Sequence, residues 1–382
     1  MNQERINVMW LIKGLGSGGA ENLLVSAAKH VDRDRFNYSA AYFLPWKDQL
    51  VEGIEAQGIP VTCFKQRVPY DLRALFALNR KLRKDKIDIL HAHLPYSGLV
   101  GRLASKFSPV KKVVYSEHNV WERYNKVMRV ANKFTYKMND AVVAVSENVE
   151  ESIRSGMNVG DSLRLNTIEN GVDVEQLSTL SKASKWLKEE LGIPAENRIV
   201  TCVANFTPKK RHTDLLAAAK RTLASTPDVS FVLVGIGPLL DDVKAEAKTL
   251  GIDKNVVFTG LREDAREIIA ASDMFMLSSE FEGMPISVLE AMGTKTPVLS
   301  TRVGGLPEML VEGTEGMMVD SLNPEKLSDA INDLLANETL RRSLAERAFV
   351  RVTNEFDIRH MVKRHEQLYL EIYGAVMSEV AA

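Results

Sequence analysis

The segment EFEGMPISVLEAM, residues 280–292, carries residue types that could hold a phosphate group. It follows the apolar run DMFMLS (273–278), so we expect it at the carboxyl end of a buried strand. Pro285 is suited to the first turn of a helix, which places Gly283 and Met284 directly before that turn. The first N–H groups of a helix lack partners within it and, with the helix dipole, attract phosphate. The segment therefore predicts a phosphate site.

Two carboxylates accompany this helix start. Glu282 lies in the loop before the helix, and Glu290 follows eight residues later, more than one turn inside it. At that spacing the two side chains could contact opposite ends of an extended ligand whose phosphates rest on the helix start. The spacing is equally compatible with a solvated Glu290 and with a Glu282 that only complements the helix dipole.

A cluster of cations follows another predicted strand. In VANFTPKKRHTDLL (203–216), Lys209, Lys210 and Arg211 come just before a helix. Such a cluster is what a diphosphate site needs when no metal ion supplies the positive charge. A hydrated basic loop is the simpler interpretation of these three residues taken alone.

A glycine-rich segment, KGLGSGGAEN (13–22), follows the first predicted strand. Gly14, Gly16 and Gly19 match the G-x-G-x-x-G spacing of dinucleotide-binding dehydrogenases. That motif also requires an acidic residue at the end of the second strand, where this chain has Leu44 and Pro45. The loop is better interpreted as glycine-rich backbone that lines a cleft beside a sugar or phosphate.

Histidines end two further predicted strands, His91 and His93 the fourth and His118 the fifth. Lone histidines are usually structural, but a histidine at the carboxyl end of a strand is a better candidate for chemistry. No His, Cys and carboxylate set has zinc spacing. The D-x-D sequence at residues 32–34 follows a helix and precedes a strand, the wrong end of the sheet, so we interpret it as a surface turn. A mechanism without a metal ion is favoured.

Short apolar runs alternate with helical patterns along nearly the whole chain, which indicates parallel strands buried on both faces. The predicted strands are residues 6–12, 38–44, 60–64, 87–93, 112–118 and 141–145, then 198–204, 229–235, 255–260, 273–278 and 296–301. The fold class is α/β, with two doubly wound Rossmann-like domains that face a cleft. The predicted domains are residues 1–175 and 176–356, and a helix at about 357–376 has no strand of the second sheet to follow.

Composition places the chain among ordinary globular proteins. Its 382 residues include 45% hydrophobic and 26% charged side chains. Two cysteines in apolar contexts, a start without signal-peptide features and the absence of a long apolar run predict a cytoplasmic protein. Residues 1–170 have 25 basic against 18 acidic side chains, whereas residues 171–382 have 24 against 32. The two halves therefore have surfaces of opposite net charge.

Residues 121–138 predict an amphipathic helix with a basic side. Its basic arc is Arg123, Lys126, Arg129, Lys133 and Lys137, and its apolar arc is Tyr124, Val127, Met128, Ala131, Phe134 and Met138. We expect the apolar arc to pack on the first sheet. The basic arc is either a hydrated surface or a binding surface for anionic lipid or a phosphorylated acceptor.

Taken together and in order, these motifs resemble glycosyltransferase family 4, whose members are retaining nucleotide-sugar enzymes with the GT-B fold. The resemblance spans roughly residues 6–360. Its motifs are Gly18-Gly19-Ala20-Glu21, Ile87 to His93, His118, Asn170-Gly171-Val172-Asp173, the Lys210 loop, Glu282-x7-Glu290 and Gly304-Gly305-Leu306-Pro307-Glu308.

The resemblance implies a role for each matching position. The implied catalytic residues are His118, Lys210 and Glu282, and the implied donor-binding residues are Gly18, Gly19, Asn205, Lys209, Lys210, Arg211, Leu261, Arg262, Glu282, Gly283, Met284, Pro285 and Glu290. Glu290 would hold the donor ribose, Glu282 the transferred sugar and Lys210 the diphosphate. The tail helix would cross back to the N-terminal domain. The family usually has an arginine where this chain has Asn205, and Lys209 or Arg211 would have to compensate.

The implied reaction is a front-face displacement with retention of the anomeric configuration. No cofactor and no metal ion are expected, and a nucleotide-sugar, with UDP as the family-level base, is the donor. The expected acceptor is a saccharide or a lipid-linked saccharide, an anionic membrane surface is a further candidate partner at the inner face of the membrane, and no nucleic acid is expected. Two alternatives stay open, an enzyme similar to nucleotide-sugar 2-epimerases and a nucleotide-sugar-binding protein with weak catalysis.

Overall fold

The computed structural model describes residues 5–66, 71–121, 124–157 and 163–381, with side chains up to residue 374. The chain forms two compact units. Unit 1 comprises Met1–Gly171 and Ile358–Ala382, and unit 2 comprises Val172–Asp357. The sequence had predicted the boundaries at residues 175/176 and 356/357.

Unit 1 contains a parallel sheet of seven strands in the order β3-β2-β1-β4-β5-β6-β7. The strands are β1 Ile6–Ile12, β2 Phe36–Tyr42, β3 Val61–Cys63, β4 Ile89–His93, β5 Lys112–Glu117, β6 Ala141–Ala144 and β7 Arg164–Thr167. The helices are α1 Gly19–Ala28, α2 Val51–Glu55, α3 Leu72–Lys84, α4 Pro95–Ser105, α5 Lys126–Thr135 and α6 Glu147–Met157. Central side chains such as Val8, Ile89 and Val114 are fully buried, because helices cover both faces of the sheet.

Helices lie on the two faces of this sheet according to the direction in which the chain moves. From β1 the chain proceeds to β2 and β3 on one side, and from β3 it returns to β4, β5, β6 and β7 on the other. Because such crossovers are right-handed, α1 and α2 cover one face, whereas α3, α4, α5 and α6 cover the opposite face.

The last helix, α16 (Ile358–Ala381), packs against α1 and belongs to unit 1. The carboxylate of Glu366 accepts hydrogen bonds from the backbone N–H of Asp32, at 2.7 Å, and from the Tyr38 hydroxyl, at 3.0 Å. Tyr369 is buried against Phe36. The D-x-D segment is a turn in which Asp32 accepts from the backbone of residues 34 and 35, so its carboxylate has a structural role.

Unit 2 contains a second parallel sheet, with six strands in the order β10-β9-β8-β11-β12-β13. The strands are β8 Arg198–Val203, β9 Val229–Val234, β10 Val256–Gly260, β11 Met274–Leu277, β12 Val298–Thr301 and β13 Met317–Val319. The helices are α7 Val174–Ser178, α8 Lys185–Leu191, α9 His212–Ser225, α10 Leu240–Thr249, α11 Ala265–Ala270, α12 Ile286–Gly293, α13 Leu306–Met309, α14 Pro324–Ala336 and α15 Glu338–Glu355. The predicted class, two doubly wound α/β domains, is confirmed.

Every apolar run predicted as a strand overlaps a strand of the structure. Two strands were missed, β7 and β13, and each lies at the edge of its sheet. In β7 the side chains are exposed or partly buried and the sequence RLNT lacks an apolar run, whereas β13 is an apolar run of just three residues, MMV, with Met318 buried. An edge strand needs less apolar surface than a central one, so a search for apolar runs passes over it.

The prediction for the basic helix is wrong in part. The apolar arc was expected to pack on the sheet, but Val127 and Phe134 are 65% and 82% exposed. Met128 of the same arc is buried as predicted, and Asn132, which lies outside the arc, is also buried and accepts a hydrogen bond from the buried Arg102 of α4. The predicted member Arg123 lies outside the described residues.

Candidate functional site

The sheet of unit 2 has a topological switch point between β8 and β11. From β8 the chain proceeds through β9 and β10 to one edge, and β11 then begins a path to the other edge through β12 and β13. In doubly wound sheets, ligands bind beyond the carboxyl ends of the strands at such a point. The loops that follow β8 and β11 are the two that carry the predicted cations and carboxylate, so the topology brings these segments together.

Lys210 and Glu282 form an ion pair at this switch point. Lys210 Nζ lies 2.5 Å from Glu282 Oε1, and the two side chains are only 14% and 5% exposed. The Ser279 hydroxyl donates a hydrogen bond to the same carboxylate oxygen, also at 2.5 Å. A charge-assisted bond in a site with little water is strong and orients both partners. The structure therefore holds an ammonium group in a fixed position at the end of β8.

The backbone of the cationic loop is tied to the end of β11. The Ser278 hydroxyl donates to the carbonyl oxygens of Lys210 and Arg211, at 3.0 and 3.1 Å. The N–H of Glu280 donates to the carbonyl of Lys209, at 2.8 Å. Arg211 has a left-handed backbone, with φ of 51°, which is a strained conformation for a side chain with a Cβ atom. These bonds hold that conformation and keep the loop against β11.

A third loop, after β12, packs on the backbone of Glu282 and Gly283. The N–H of Gly305 donates to the carbonyl of Gly283, at 3.0 Å. Gly304 has φ of +54°, and a Cβ atom placed on it would lie 1.7 Å from the carbonyl oxygen of Glu282. Only glycine fits this contact, which explains why the Gly304-Gly305 motif accompanies the carboxylate motif.

Helix α12 begins one residue later than predicted. Pro285 was expected in the first turn, but it is the N-cap residue with ψ of 118°, and Ile286 is the first helical residue. Gly283, Met284 and Pro285 are buried beneath this helix start. The N–H groups of the first turn lack acceptors within the helix, as at any helix start, so the predicted phosphate site is chemically reasonable there.

Glu290 is paired with a residue that sequence reasoning missed. Arg266 Nε of α11 donates to Glu290 Oε1 at 2.7 Å, and the Glu290 side chain is 11% exposed. The interpretation of Glu290 as a solvated helix residue is therefore wrong. The two residues are 24 positions apart and lie on different helices, so the sequence contains no local signal for Arg266.

Other predicted donor residues of unit 2 lie at the ends of β8 and β10. Arg211 is held by Asp214 at 2.9 Å, and Arg262 is held by Asp264 at 2.6 Å. The exposed residues are Asn205 and Leu261, and Lys209 is partly buried. That Lys209 or Arg211 compensates for Asn205, at the position where the family usually has an arginine, stays a prediction.

In unit 1 the predicted glycines lie at the switch point of that unit's own sheet. The switch point of this sheet is between β1 and β4, and the glycine-rich loop follows β1. Gly18 is the N-cap residue of α1, and Gly19 is its first residue. The backbone and side-chain amides of Asn22 both donate to the Gly18 carbonyl, at 2.9 and 3.0 Å.

His118 is partly buried and belongs to a cluster of histidines in unit 1, of which His91 and His93 are buried. His118 Nε2 lies 3.3 Å from His93 Nδ1, and His91 is bonded to the hydroxyls of Ser116 and Tyr369, at 2.8 and 2.5 Å. Burial lowers the pKa of His118 to about 4, with a further contribution from His365 of α16. His118 is therefore neutral at pH 7 and acts there as a hydrogen-bonding group rather than a cation.

This cluster predicts acid-sensitive stability. Burial lowers the pKa of His365 to about 4, below the value of 6.5 in an unfolded chain. Between these values the unfolded chain binds more protons, so the free energy of unfolding decreases as the pH falls from about 6.5 towards 4. From pH 7 to pH 5 this group alone contributes a loss of about 2 kcal/mol.

Chemical unfolding of the wild type and His365→Gln at pH 7 and pH 5 measures this loss. The variant is expected to lose less stability over that interval, whereas His360→Gln on the exposed side of α16 is expected to behave like the wild type. Equal losses for His365→Gln and the wild type would contradict the prediction.

In the part of the chain that the structure describes, no group of three or more His, Cys, Asp or Glu side chains is arranged to hold a metal ion. Among the helices of the described ranges, none is both long and apolar enough to cross a lipid bilayer.

Comparison with solved structures defines the fold class of the protein. Solved structures superpose on nearly the whole chain. That of Anabaena HepE in complex with UDP-glucose has a TM-score of 0.84 and 23% identity, and the match covers 96% of this chain and 100% of that one. The sucrose-phosphate synthase of Thermosynechococcus elongatus has a TM-score of 0.82 at 17% identity, covering 97% and 100%. The two α/β units thus have the GT-B fold of glycosyltransferases.

Sequence comparison identifies the family. The family model described as Glycosyltransferase Family 4 matches residues 17–176, and that described as Glycosyl transferases group 1 matches residues 184–351. The UDP-Gal:alpha-D-GlcNAc-diphosphoundecaprenol alpha-1,3-galactosyltransferase of Escherichia coli is 26% identical, covering 86% of this chain and 87% of that protein. The N-acetyl-alpha-D-glucosaminyl L-malate synthase of Bacillus anthracis is 27% identical, covering 80% and 81%. The chain belongs to glycosyltransferase family 4 and is a nucleotide-sugar-dependent transferase.

Proposed function

We propose that the protein is a retaining glycosyltransferase that moves a hexosyl or N-acetylhexosaminyl group from a UDP-sugar without a metal ion. The acceptor is a saccharide or a lipid-linked saccharide. The observation that carries the proposal is the ion pair of Lys210 and Glu282, 2.5 Å apart at the switch point of unit 2. It places a fixed cation and a carboxylate where doubly wound sheets bind their ligands.

The proposed reaction uses Lys210 to stabilise the leaving group. The acceptor hydroxyl oxygen attacks the anomeric carbon from the side that the diphosphate leaves, so the configuration is retained. The bond between that carbon and the diphosphate oxygen breaks, and the departing phosphate takes the proton of the acceptor hydroxyl. Negative charge accumulates on the diphosphate, where the Lys210 ammonium and the first N–H groups of α12 neutralise it. The products are the glycoside and the nucleoside diphosphate.

The carboxylates would bind the two ends of the donor. Glu282 is oriented by Lys210 and Ser279, and it would accept hydrogen bonds from hydroxyls of the transferred sugar. Glu290 is oriented by Arg266 and would accept those of the ribose. His118, which is neutral at pH 7, is assigned to the sugar and acceptor by the family resemblance.

UDP is proposed because two similar proteins carry it in their descriptions. The Escherichia coli relative is named as a UDP-Gal transferase, and HepE was solved with UDP-glucose. The diphosphoundecaprenol in the name of the first enzyme is the reason for including a lipid-linked acceptor.

Nucleotide binding gives a direct test of donor recognition. We expect UDP and UDP-sugars to raise the melting temperature more than GDP and GDP-sugars, and EDTA to leave this stabilisation unchanged. Stabilisation that EDTA removes would contradict the metal-free mechanism, and a preference for GDP would contradict the proposed base. The anomeric configuration of the product, measured by NMR with the acceptor that supports turnover, tests retention.

Replacement of Glu290 by alanine is expected to weaken UDP binding about 10- to 100-fold. The lost charge-assisted bonds to the ribose correspond to roughly 1.5–3 kcal/mol. Calorimetric titration with UDP measures the change. Arg266→Ala is expected to weaken binding less, because it leaves the carboxylate in place but without its orienting partner. Unchanged affinity in Glu290→Ala would remove this residue from the ribose site.

A further inference from the structure

The outer layer of unit 1 contains three neighbouring helices, α3, α4 and α5. Helix α4 packs between the other two. The Asn79 side chain of α3 donates to the Ala104 carbonyl of α4 at 2.9 Å, and Arg102 Nε of α4 donates to Thr135 Oγ1 of α5 at 3.2 Å. The three helices therefore form one continuous layer on one face of the sheet.

This layer exposes an unusual number of large apolar side chains. They are Leu72 (67% exposed), Phe76 (70%), Leu103 (36%), Phe107 (69%), Val127 (65%), Val130 (56%) and Phe134 (82%), and we refer to them as the apolar residues of the α3–α5 surface. Single exposed apolar residues are common, but a group of three phenylalanines and four aliphatic residues on adjacent helices indicates a binding surface.

On each of the three helices, the spacing of the exposed apolar residues places them on one side of the helix. Leu72 and Phe76 are four residues apart, as are Leu103 and Phe107, so each pair lies on one side of its helix. On α5, Val127, Val130 and Phe134 follow the i, i+3, i+7 pattern of one helical stripe. The opposite side of α5, with Met128 and Asn132, is already buried against the unit. The exposed stripe is thus additional to the core.

The charge around these apolar residues is positive. The exposed basic residues of the surface and the turns that follow its helices include Arg80, Arg83, Lys84, Lys86, Lys106, Lys126, Lys133 and Lys137. None of the residues of α3, α4 or α5 is Asp or Glu. Arg73, also exposed, is paired with Asp71 at the N-cap of α3. The carboxylates at the two ends of α3, Asp71 and Asp85, each pair with a basic residue of that helix, and the remaining excess of basic side chains favours an anionic partner.

We propose that the α3–α5 surface binds the surface of an anionic lipid bilayer. Phenylalanine and aliphatic side chains enter the boundary between headgroups and acyl chains, while lysine and arginine side chains extend to the lipid phosphates. Each basic residue near an anionic membrane adds affinity that salt screens. The proposal concerns a surface of unit 1 and does not depend on the reaction proposed for unit 2.

Vesicle flotation of the full chain tests this surface. The protein is expected to float with vesicles of phosphatidylcholine and phosphatidylglycerol, less at high salt, and not with phosphatidylcholine alone. Phe107→Ser/Phe134→Ser is expected to lower binding at least tenfold, because each buried phenylalanine contributes at least that factor. Lys126→Glu/Lys133→Glu is expected to lower binding at low salt and to reduce its salt dependence, because the other basic residues of the surface remain.

Matched controls come from unit 2. Val350 is 58% exposed, and Lys244 and Lys248 are exposed on α10. Val350→Ser and Lys244→Glu/Lys248→Glu are expected to float like the wild type. Thermal unfolding and hydrolysis of the donor without acceptor should be unchanged in all these variants, which separates loss of membrane binding from loss of folding or of the proposed reaction.

Two outcomes would overturn the proposal. One is a wild-type protein that stays with the aqueous phase at every salt concentration and lipid composition. The other is a wild-type dimer in solution that Phe107→Ser/Phe134→Ser converts into monomers without a change in flotation, since the apolar residues would then bind a second copy of the chain.

Discussion

Lys210→Ala is expected to lower kcat about 100- to 1000-fold, because it removes a preorganised cation from the leaving diphosphate. The reason is geometric as well as electrostatic. In the structure the ammonium group is held 2.5 Å from Glu282, in a loop whose carbonyls are bonded to Ser278. A neighbouring flexible lysine cannot reproduce that position without losing side-chain entropy. Steady-state rates with saturating donor and acceptor measure the effect.

A suitable control is Lys220→Ala. Lys220 is exposed on α9, the helix that follows the Lys210 loop, and its removal should leave kcat within a factor of two or three of the wild type, roughly the scatter expected for a surface change. Thermal unfolding distinguishes a catalytic effect from damage, because Lys210→Ala also leaves the buried Glu282 without its cation. A folded Lys210→Ala enzyme with the kcat of the wild type would exclude Lys210 from leaving-group stabilisation.

Much of the fold could be predicted because central strands in doubly wound sheets are apolar on both faces. The residues around Val200 and Phe275 are buried, and the short length of these apolar runs distinguishes them from buried helices. Once the strands are placed, topology assigns the loops after β8 and β11 to one point of the sheet. The location of the candidate site therefore follows from the sequence.

The partners of the site residues could not be predicted in the same way. Glu282 lies 72 positions from Lys210, and Glu290 lies 24 positions from Arg266, so each pair is defined only by tertiary structure. The helical periodicity of apolar residues also does not predict which side of α5 is buried. There the buried side includes Asn132, which binds a buried arginine, and the exposed side includes Phe134, so polarity is a poor guide to burial. Such exceptions to the hydrophobic pattern are expected at functional surfaces.

Gly304→Ala is expected to lower both stability and kcat. The new Cβ atom would lie 1.7 Å from the carbonyl oxygen of Glu282, and the backbone of Glu282 and Gly283 would have to move. A displacement of about 1 Å in a catalytic group can cost on the order of 100-fold in rate. The left-handed backbone adds a conformational cost of about 1–2 kcal/mol. Denaturant unfolding and kcat, measured on the same preparation, quantify the two effects.

Gly313→Ala separates the effect of the contact with Glu282 from the effect of the left-handed backbone. Gly313 also has a left-handed backbone, with φ of +70°, but no atom lies within 4 Å of the position that its Cβ would take. The free energy of unfolding of this variant should therefore fall only by the conformational cost, about 1–2 kcal/mol, and its kcat should equal that of the wild type. If Gly304→Ala and Gly313→Ala had the same kcat and the same free energy of unfolding, the contact between Gly304 and Glu282 would have no role in positioning the carboxylate. A selective loss of kcat in Gly304→Ala would instead show that the loop after β12 sets the position of Glu282.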